Sequence, residues 1–572
     1  MPFTPAVREQ QFVLDTVVQF AELAATDRFE AASPDLVEAV LEGAGAFAAG
    51  AWAPLLREGD TNGPKWSESG VTMPPGYAQA YKAYVEGGWG TIGAPVDFGG
   101  QGLPFVLAST VLETLGTANM GFALAPTLTV GAIEALLHHG TPEQQALYLP
   151  HLATGAWTGT MNLTEPQAGS DVGALKSRAV PVGDGTFKIS GTKIFISFGD
   201  HDMADNIVHL VLARTPDAPA GTRGISLFLV PKYRLDAEGK PDAFNDVRVV
   251  SIEHKMGLHA SPTCVLSFGD HDDCIGELIG GEFGGIRAMF TMMNNARLNV
   301  GLQGVQVAEA ATQKAVDFAR ERIQSARAGS PDKSPVAIIE HPDVRRMLMR
   351  MKAQTQAARA LVYLAAGMVD RAGLGDEFAK DRLEILTPLA KAHATDLGNE
   401  VASLGVQVHG GMGFIEETGA AQFFRDARIT PIYEGTNGIQ AADLVGRKLG
   451  LSNGAAFTTL IADMREEAED AALRALIDAC DEVGHRLSTA DADDRLAASY
   501  PFLTMLSVAT CGWLMERQGR AAADGNDDFL KMKRAVAAFY VDQIVPEAIG
   551  LHAAASASAA GLYELPAALF AA

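Results

Sequence analysis

The sequence has little cysteine, little positive charge and no apolar run long enough to stand out as a membrane span. Its four cysteines, Cys264, Cys274, Cys480 and Cys511, are scattered over 572 residues. They form no CxxC pair and no zinc-ligand spacing, which excludes a disulfide scaffold or a zinc site and predicts reduced core thiols in a cytoplasmic protein without a metal. Lysine and arginine number 45 against 69 aspartates and glutamates, a net charge of -24. Such a surface repels nucleic acid and anionic lipid unless a basic stripe overrides it, and no Lys/Arg run is long enough to do so. The opening MPFTPAVREQ lacks the basic and apolar regions of a signal peptide. The most apolar run is read as Pro501 to Met515, shorter than the ~20 residues of a membrane span, so it predicts a buried helix and no stable membrane insertion. The Ala-rich tail from Gly550 to Ala572 predicts a docked terminal helix.

Apolar residues make up 48% of the chain and charged ones 20%. That balance supports large cores and excludes disorder, and the length implies several domains. Three-to-four spacing of apolar residues runs through Pro34 to Phe47 and Pro142 to Leu152. From Trp157 to about Glu277 it gives way to short β-rich runs such as TFKISGTKIFIS and GISLFLVPK, punctuated by Gly, Pro and Asp. From Gly285 the helical period returns. Leu298, Leu302, Val305, Ala308, Ala311, Ala315, Ala319 and Ile323 mark one long helix, and His341-Pro342 opens a second. A third covers about Asp381 to Val408, and a shorter one follows Asn437.

The predicted fold is α+β and multi-domain. It comprises an N-terminal helical domain (1–155), a middle antiparallel β domain (156–283), a C-terminal four-helix bundle (284–450) and a helical extension (451–572). No βαβ alternation occurs and no GxGxxG follows a strand, which excludes a Rossmann unit.

Four local sequences can carry chemistry, and each also has a plain structural reading. Leu163-Thr-Glu-Pro-Gln-Ala-Gly-Ser-Asp171 offers backbone N–H groups and hydroxyls to a ligand, yet the same residues make ordinary turns. Gly191-Thr-Lys-Ile-Phe-Ile-Ser197 sets an aromatic beside a hydroxyl, which suits a flat ring but is also simply a strand. His409-Gly-Gly-Met-Gly-Phe414 permits close backbone approach, and consecutive glycines also end helices. Tyr433-Glu-Gly-Thr-Asn-Gly438 holds a carboxylate just before a helix, where a base or a dipole partner would sit.

In this order and spacing the four segments resemble the signatures of the acyl-CoA dehydrogenase family, which read much like TEPxAGSD, GxKxxIS, LGGxG and YEGT. The likeness covers about residues 75 to 450. It implies an FAD enzyme that desaturates an acyl-CoA thioester between Cα and Cβ, with α, β and α-bundle domains around cofactor and substrate.

By the resemblance, Leu163, Thr164 and Ser170 line the flavin and pantetheine side. Phe195 takes the place of the aromatic packed on the isoalloxazine, and Ser197 that of a hydroxyl near flavin N5. Arg322 matches an arginine for the FAD pyrophosphate of a neighbouring subunit. Gln407, Gly410 and Gly411 match the loop for the adenosine half, and Thr436 a further FAD contact. Ser170, Arg297 and Gly435 fall toward the substrate. Glu434 matches the base for the α-proton, whose pKa desolvation would raise toward its task. Some members place the base just before the position of Arg297, but here that residue is Ala296.

The long ends and the stretch Ile252 to Cys264 resemble the large bacterial members. These include 3-methylmercaptopropionyl-CoA dehydrogenases of dimethylsulfoniopropionate breakdown and broad-range fatty acyl-CoA dehydrogenases of β-oxidation. The resemblance implies an electron-transfer flavoprotein as acceptor and, with the extension covering the tetramer surface, a homodimer. An acyl-CoA oxidase, a non-catalytic flavoprotein and a DNA-associated flavoprotein are the competing readings. The last requires a basic C-terminal face, whereas Glu466, Glu467, Glu469 and Asp470 make this one acidic.

Overall fold

A computed structural model describes residues 3–571 as an α+β protein, with helices before and after a central block of strands. The chain groups into two compact units, Glu42–Ala296 on one hand and Phe3–Leu41 with the chain from Arg297 onward on the other.

The Glu42–Ala296 unit opens with helices and a hairpin of β1 (Lys65–Ser67) and β2 (Gly70–Thr72). Helix α1 (Phe105–His139) is 35 residues long and bent at Asn119, whose φ of -163° is not helical. Asn119 Oδ1 accepts from Phe122 N–H at the bend, capping the second segment as a helix start requires. By length and composition α1 and the stretch Pro34–Thr61 could each span a bilayer, yet 72% of the apolar window of α1 is buried within the protein. This corrects the expectation that Pro501 to Met515 is the most apolar run: the bend and Pro126 interrupt the period of a longer one. Helix α2 (Pro142–Thr154) starts at a capping box in which Thr141 and Gln144 exchange side-chain and backbone bonds.

The strands that follow are β3 (Trp157–Asn162), β4 (Arg178–Pro181), β5 (Thr186–Ser197), β6 (Asn206–Ala213), β7 (Ser226–Pro231), β8 (Tyr233–Leu235), β9 (Pro241–Phe244), β10 (Val247–Ile252), β11 (Thr263–Phe268) and β12 (Ile275–Ile279). Eight of them form one sheet in the order β10-β11-β5-β12-β7-β6-β3, with β4 also on β5, while β8 and β9 pair separately. Every pair in the sheet is antiparallel except β3–β6, which is parallel. Strands β6 and β7 are buried at every residue, and the polar Asn206, His209 and Ser226 are buried with their apolar neighbours. β5 instead alternates along part of its length and carries a bulge against β11: Ile194 and Phe195 stand opposite the single Val265.

The second unit is helical. Its main elements are α3 (Gly285–Glu321, in this unit from Arg297), α4 (Pro342–Gly373), α5 (Glu377–His409), α6 (Ala420–Ala427) and α7 (Asn437–Gly446), followed by the extension helices α8 (Ala455–Glu467), α9 (Ala471–Thr489), α10 (Ala492–Ala521) and α11 (Asp528–Phe539). The stripe from Leu298 to Ala319 is buried, but Ile323 lies beyond the helix end and is 53% exposed. That corrects its place in the predicted stripe. α3 and α5 cross at glycines, where a Cβ on Gly304 would stand 2.1 Å from the Ala394 carbonyl oxygen and one on Gly398 2.9 Å from Gly304 Cα. From the extension, α10 packs on α4, α5 and α7.

The tail differs from the expected docked helix. It breaks into four-residue helices, His552–Ala555 and Ala560–Tyr563, and a short 3-10 turn, and leaves Leu562, Tyr563 and Phe570 exposed. Ser556, Ser558 and Pro566 interrupt it, so no continuous apolar stripe forms. All four cysteines are buried as free thiols.

Candidate active site

In the Glu42–Ala296 unit, the loop after β3 is held from inside by a carboxylate. Glu165 is buried and accepts from Lys193 Nζ (2.8 Å), Ser177 N–H and Oγ, and Lys176 N–H. Burial pushes its carboxyl up, but the Lys193 charge and these donors outweigh that and hold it at about 2. Lys193 Nζ also donates to the Leu163 carbonyl, and Ile194 N–H to that of Thr164. The loop is thereby stitched to the bulge of β5, which brings Leu163 and Thr164 next to Phe195.

Phe195 has a φ of 61° and is 59% exposed. A non-glycine residue held left-handed costs on the order of 1–3 kcal/mol, so the surrounding bonds impose this conformation. The bulge turns the ring out of the sheet. Ser197, two residues on, is half-buried opposite Thr263 of β11. Ser170 lies at the exposed end of the loop, and no hydrogen bond joins it to the Phe195 side among the described residues.

In the helical unit, Glu434 stands in the loop between α6 and α7. Its φ is 53° and that of Gly435 is 83°, a left-handed pair that turns the chain sharply just before Thr436. Thr436 Oγ1 accepts from Ile439 N–H and so caps α7. The loop is pinned from several sides. Tyr433 O–H donates to Gln303 Oε1 of α3, Asn437 N–H to the Pro431 carbonyl, and Lys391 Nζ to the Thr430 carbonyl and to Asn437 Oδ1. Glu434 is half-buried. Burial pushes its carboxyl above the ordinary value, and the charges of Lys391 and Arg297 pull it only part of the way back.

Arg297 is buried in this region. Burial pushes its guanidinium down while Asp443 and Glu434 oppose the shift, and its Nε has no hydrogen-bond partner among the described residues. Burial likewise lowers the Lys391 ammonium, to about 8. Arg297, Glu434, Gly435 and Thr436 are therefore brought together.

Arg322, Gln407, Gly410 and Gly411 lie apart from that loop, at the ends of α3 and α5. These ends meet where Phe318 stacks on His409, ring centroids 4.4 Å apart. Arg322 is exposed, its guanidinium bonded only to Gln324 Oε1 among the described residues. Gln407, Gly410 and Gly411 are also exposed, and a Cβ on either glycine would meet nothing within 4 Å. Their smallness fills no packing need inside the chain.

Comparison with known proteins finds likeness along nearly the whole length of the chain. Family models match for the acyl-CoA dehydrogenase N-terminal domain (residues 35–156), middle domain (160–271) and C-terminal domain (284–449), and for an acetyl-CoA dehydrogenase C-terminal-like domain (454–566). The chain belongs to the acyl-CoA dehydrogenase family. It is 44% identical to the 3-methylmercaptopropionyl-CoA dehydrogenase of Ruegeria pomeroyi, over 96% of this chain and 97% of that protein. It is 32% identical to the broad-specificity linear acyl-CoA dehydrogenase FadE5 of Mycobacterium tuberculosis, over 94% of this chain and 95% of the relative. The solved Bacillus anthracis acyl-CoA dehydrogenase complexed with FAD shares the fold, with a TM-score of 0.73 at 22% identity over 94% of this chain and 90% of that one. The members of this family are oxidoreductases acting on CH–CH bonds.

Several residues that shape these two loops were not singled out in the sequence. Glu165 and Lys193 both lie inside the motifs, and a lysine at a buried position of a strand was the available signal. Lys391 and Gln303 gave none, and Asn437 gave only its place in the Tyr433–Gly438 segment, because their role depends on the crossing of α3, α5 and α7.

Proposed function

We propose that this acyl-CoA dehydrogenase takes FAD and desaturates an acyl-CoA between Cα and Cβ, with Glu434 as the base that removes the α-proton. The observation that carries this reading is the state of Glu434: a half-buried carboxylate on a left-handed turn, with its proton affinity raised by burial and with two cations beside it. A base must hold the proton it accepts, and a carboxylate at its ordinary value is too weak for a thioester α-proton. The N–H of Glu434 offers the thioester carbonyl a hydrogen bond that strengthens as charge develops on its oxygen. Gly435 and Arg297, beside it in the chain and in space, form the proposed substrate side of this loop, and the resemblance alone adds Ser170 as a substrate contact.

The residues present fit the cofactor. The Phe195 ring is held out on strained backbone without an internal packing role, as a stacking surface for a flat ring would be. Leu163, Thr164 and Ser197 flank it in sequence and pairing, and Gly410 and Gly411 leave open space beside Gln407. Arg322 offers an unburied cation for a pyrophosphate of the partner copy in a homodimer, and Thr436 a further contact. When bound, FAD supplies the hydride acceptor for Cβ.

The reading assigns residues 1–155, 156–283, 284–450 and 451–572 to the four structural parts expected from the sequence. It takes an electron-transfer flavoprotein as acceptor and the cytoplasm as location. The relationship to the Ruegeria pomeroyi enzyme favours 3-methylmercaptopropionyl-CoA as substrate. The likeness to the broad-specificity enzyme favours linear fatty acyl-CoA as the second reading.

The test is anaerobic titration of the purified holoenzyme with 3-methylmercaptopropionyl-CoA and with butyryl- to palmitoyl-CoA, alongside Glu434→Gln. Loss of the visible flavin absorbance with one thioester class, abolished in the variant, is expected and names the substrate. Undiminished bleaching in the variant would overturn the assignment of the base.

A further inference from the structure

The extension reaches the Glu434 loop through a chain of side chains that no part of the motif reading uses. Tyr500 of α10 donates from its hydroxyl to Asp396 Oδ2 at 2.7 Å. Asp396, on α5, accepts on Oδ1 from Asn437 Nδ2 at 2.9 Å. Asn437 is the first residue of α7, and its own Oδ1 accepts from Lys391 Nζ at 2.8 Å. Lys391 then donates to the Thr430 carbonyl, and Asn437 N–H to that of Pro431. Both ends of the loop that carries Glu434 are therefore tied to one buried polar cluster, and the far end of that cluster is a residue of the extension.

We propose that Tyr500 is a positioning residue for Glu434, acting through Asp396, Asn437 and Lys391. The proposal rests on the reading of Glu434 as the base. It gives the extension a role in the reaction as well as in packing.

The charges that face these groups fix the direction of the effect. Glu434 is faced by Lys391 from α5 and Arg297 from α3. Lys391 is faced by Asp396, Glu434 and Arg297. Burial raises the Asp396 carboxyl, while the bonds from Tyr500 and Asn437 and the charges of Lys391 and Arg428 hold it down. Removal of the Tyr500 hydroxyl withdraws one of those restraints, so Asp396 takes a proton more readily. With Asp396 neutral the cluster loses an anion, while Lys391, whose ammonium is lowered only to about 8, keeps its charge through the acidic range and faces Glu434 with less of that charge offset. The Glu434 proton is held less tightly as a result.

The experiment is the pH profile of kcat/KM for flavin reduction by acyl-CoA in wild type, Tyr500→Phe, Asp396→Asn and Glu434→Gln, with a thermal melt of each. An infrared titration of the protonated Glu434 carboxyl, assigned by its absence in Glu434→Gln, reads the same quantity without turnover. In Tyr500→Phe the acidic limb and the infrared midpoint should both move down by about half a pH unit, which is about a threefold gain of rate on the acidic side. Asp396→Asn should move them further in the same direction. A lowered melting temperature with an unmoved limb and midpoint would make Tyr500 merely structural and overturn the inference, while a dead Glu434→Gln left the base assignment standing. An active Glu434→Gln would instead remove that assignment and this inference together.

Discussion

Lys193 Nζ lies 2.8 Å from Glu165 Oε1, and both side chains are almost wholly removed from solvent, at 0% and 4% exposure. One partner comes from the loop after β3 and the other from β5, so the pair sets the distance between the two motifs of that unit. A buried pair of this kind is strongly sensitive to loss of one member, because the remaining charge has no water to turn to.

Glu165→Ala should therefore destabilise the protein by about 3–5 kcal/mol, the cost of leaving a buried lysine uncompensated. Chemical denaturation reads it directly. Exchange of both residues for apolar ones of similar volume should restore much of the loss, yet leave FAD retention impaired, since Leu163 would no longer be held by Lys193. A double variant with full FAD content would show that the tie is dispensable to the cofactor.

Phe195 makes the opposite prediction. Its ring is 59% exposed and its backbone strained, so Phe195→Ala gives up little packing and should leave the melting temperature of the FAD-free protein within the range of an ordinary surface substitution. FAD affinity should fall by up to about tenfold, the weight of one aromatic stacking contact of about 0.5–1.5 kcal/mol. Flavin content after dialysis checks it. Equal losses in FAD-free stability and FAD affinity would mark Phe195 as a fold residue.

These two residues also show how far the sequence could be read. The α, β, α order, the long helices and the motif positions were legible, because they rest on periodicities and turn residues that act over a few neighbours. The short helix after Thr436 was legible for the same reason, but its cap by the Thr436 hydroxyl was not. The bulge that turns out Phe195 was not, since it depends on the register of β5 against β11. Nor was the parallel β3–β6 pair, which strand composition does not distinguish. The cluster around Lys391 and Asn437 needs three helices brought together over a hundred residues of chain. The close crossing at Gly304 and Gly398 is one such approach, and neither glycine sits in a motif.

Buried histidines in and beside the β sheet give a pH dependence that is separate from catalysis. His201 accepts from Met203 N–H on Nδ1 and meets Thr158 Oγ1 through Nε2, so the first bond requires a bare Nδ1 and fixes a neutral ring. His209 meets Thr160 Oγ1 through Nδ1 inside the same sheet. Burial, with the nearby Lys232 charge, pushes both rings down from 6.5 to about 3. The unfolded chain therefore binds more protons than the folded one between these values, and stability is lost as pH falls from about 6.5 toward 3. His393 in the helical unit, lowered by burial to about 4, adds to the same slope. Glu165 enters only below 4.5, because its folded value of about 2 lies under an ordinary 4.5. Between 4.5 and 6.5 the histidines each contribute up to about 1.4 kcal/mol per pH unit, opposed in part by the raised Glu434 and Asp396 carboxyls, which bind protons more readily in the folded chain. Denaturation midpoints measured from pH 7 to 5 should fall, and His209→Asn should flatten the slope by the share of one ring whatever it does to absolute stability. A slope unchanged in that variant would mean that His209 already carries its proton in the folded sheet, contrary to its burial and to the cation beside it.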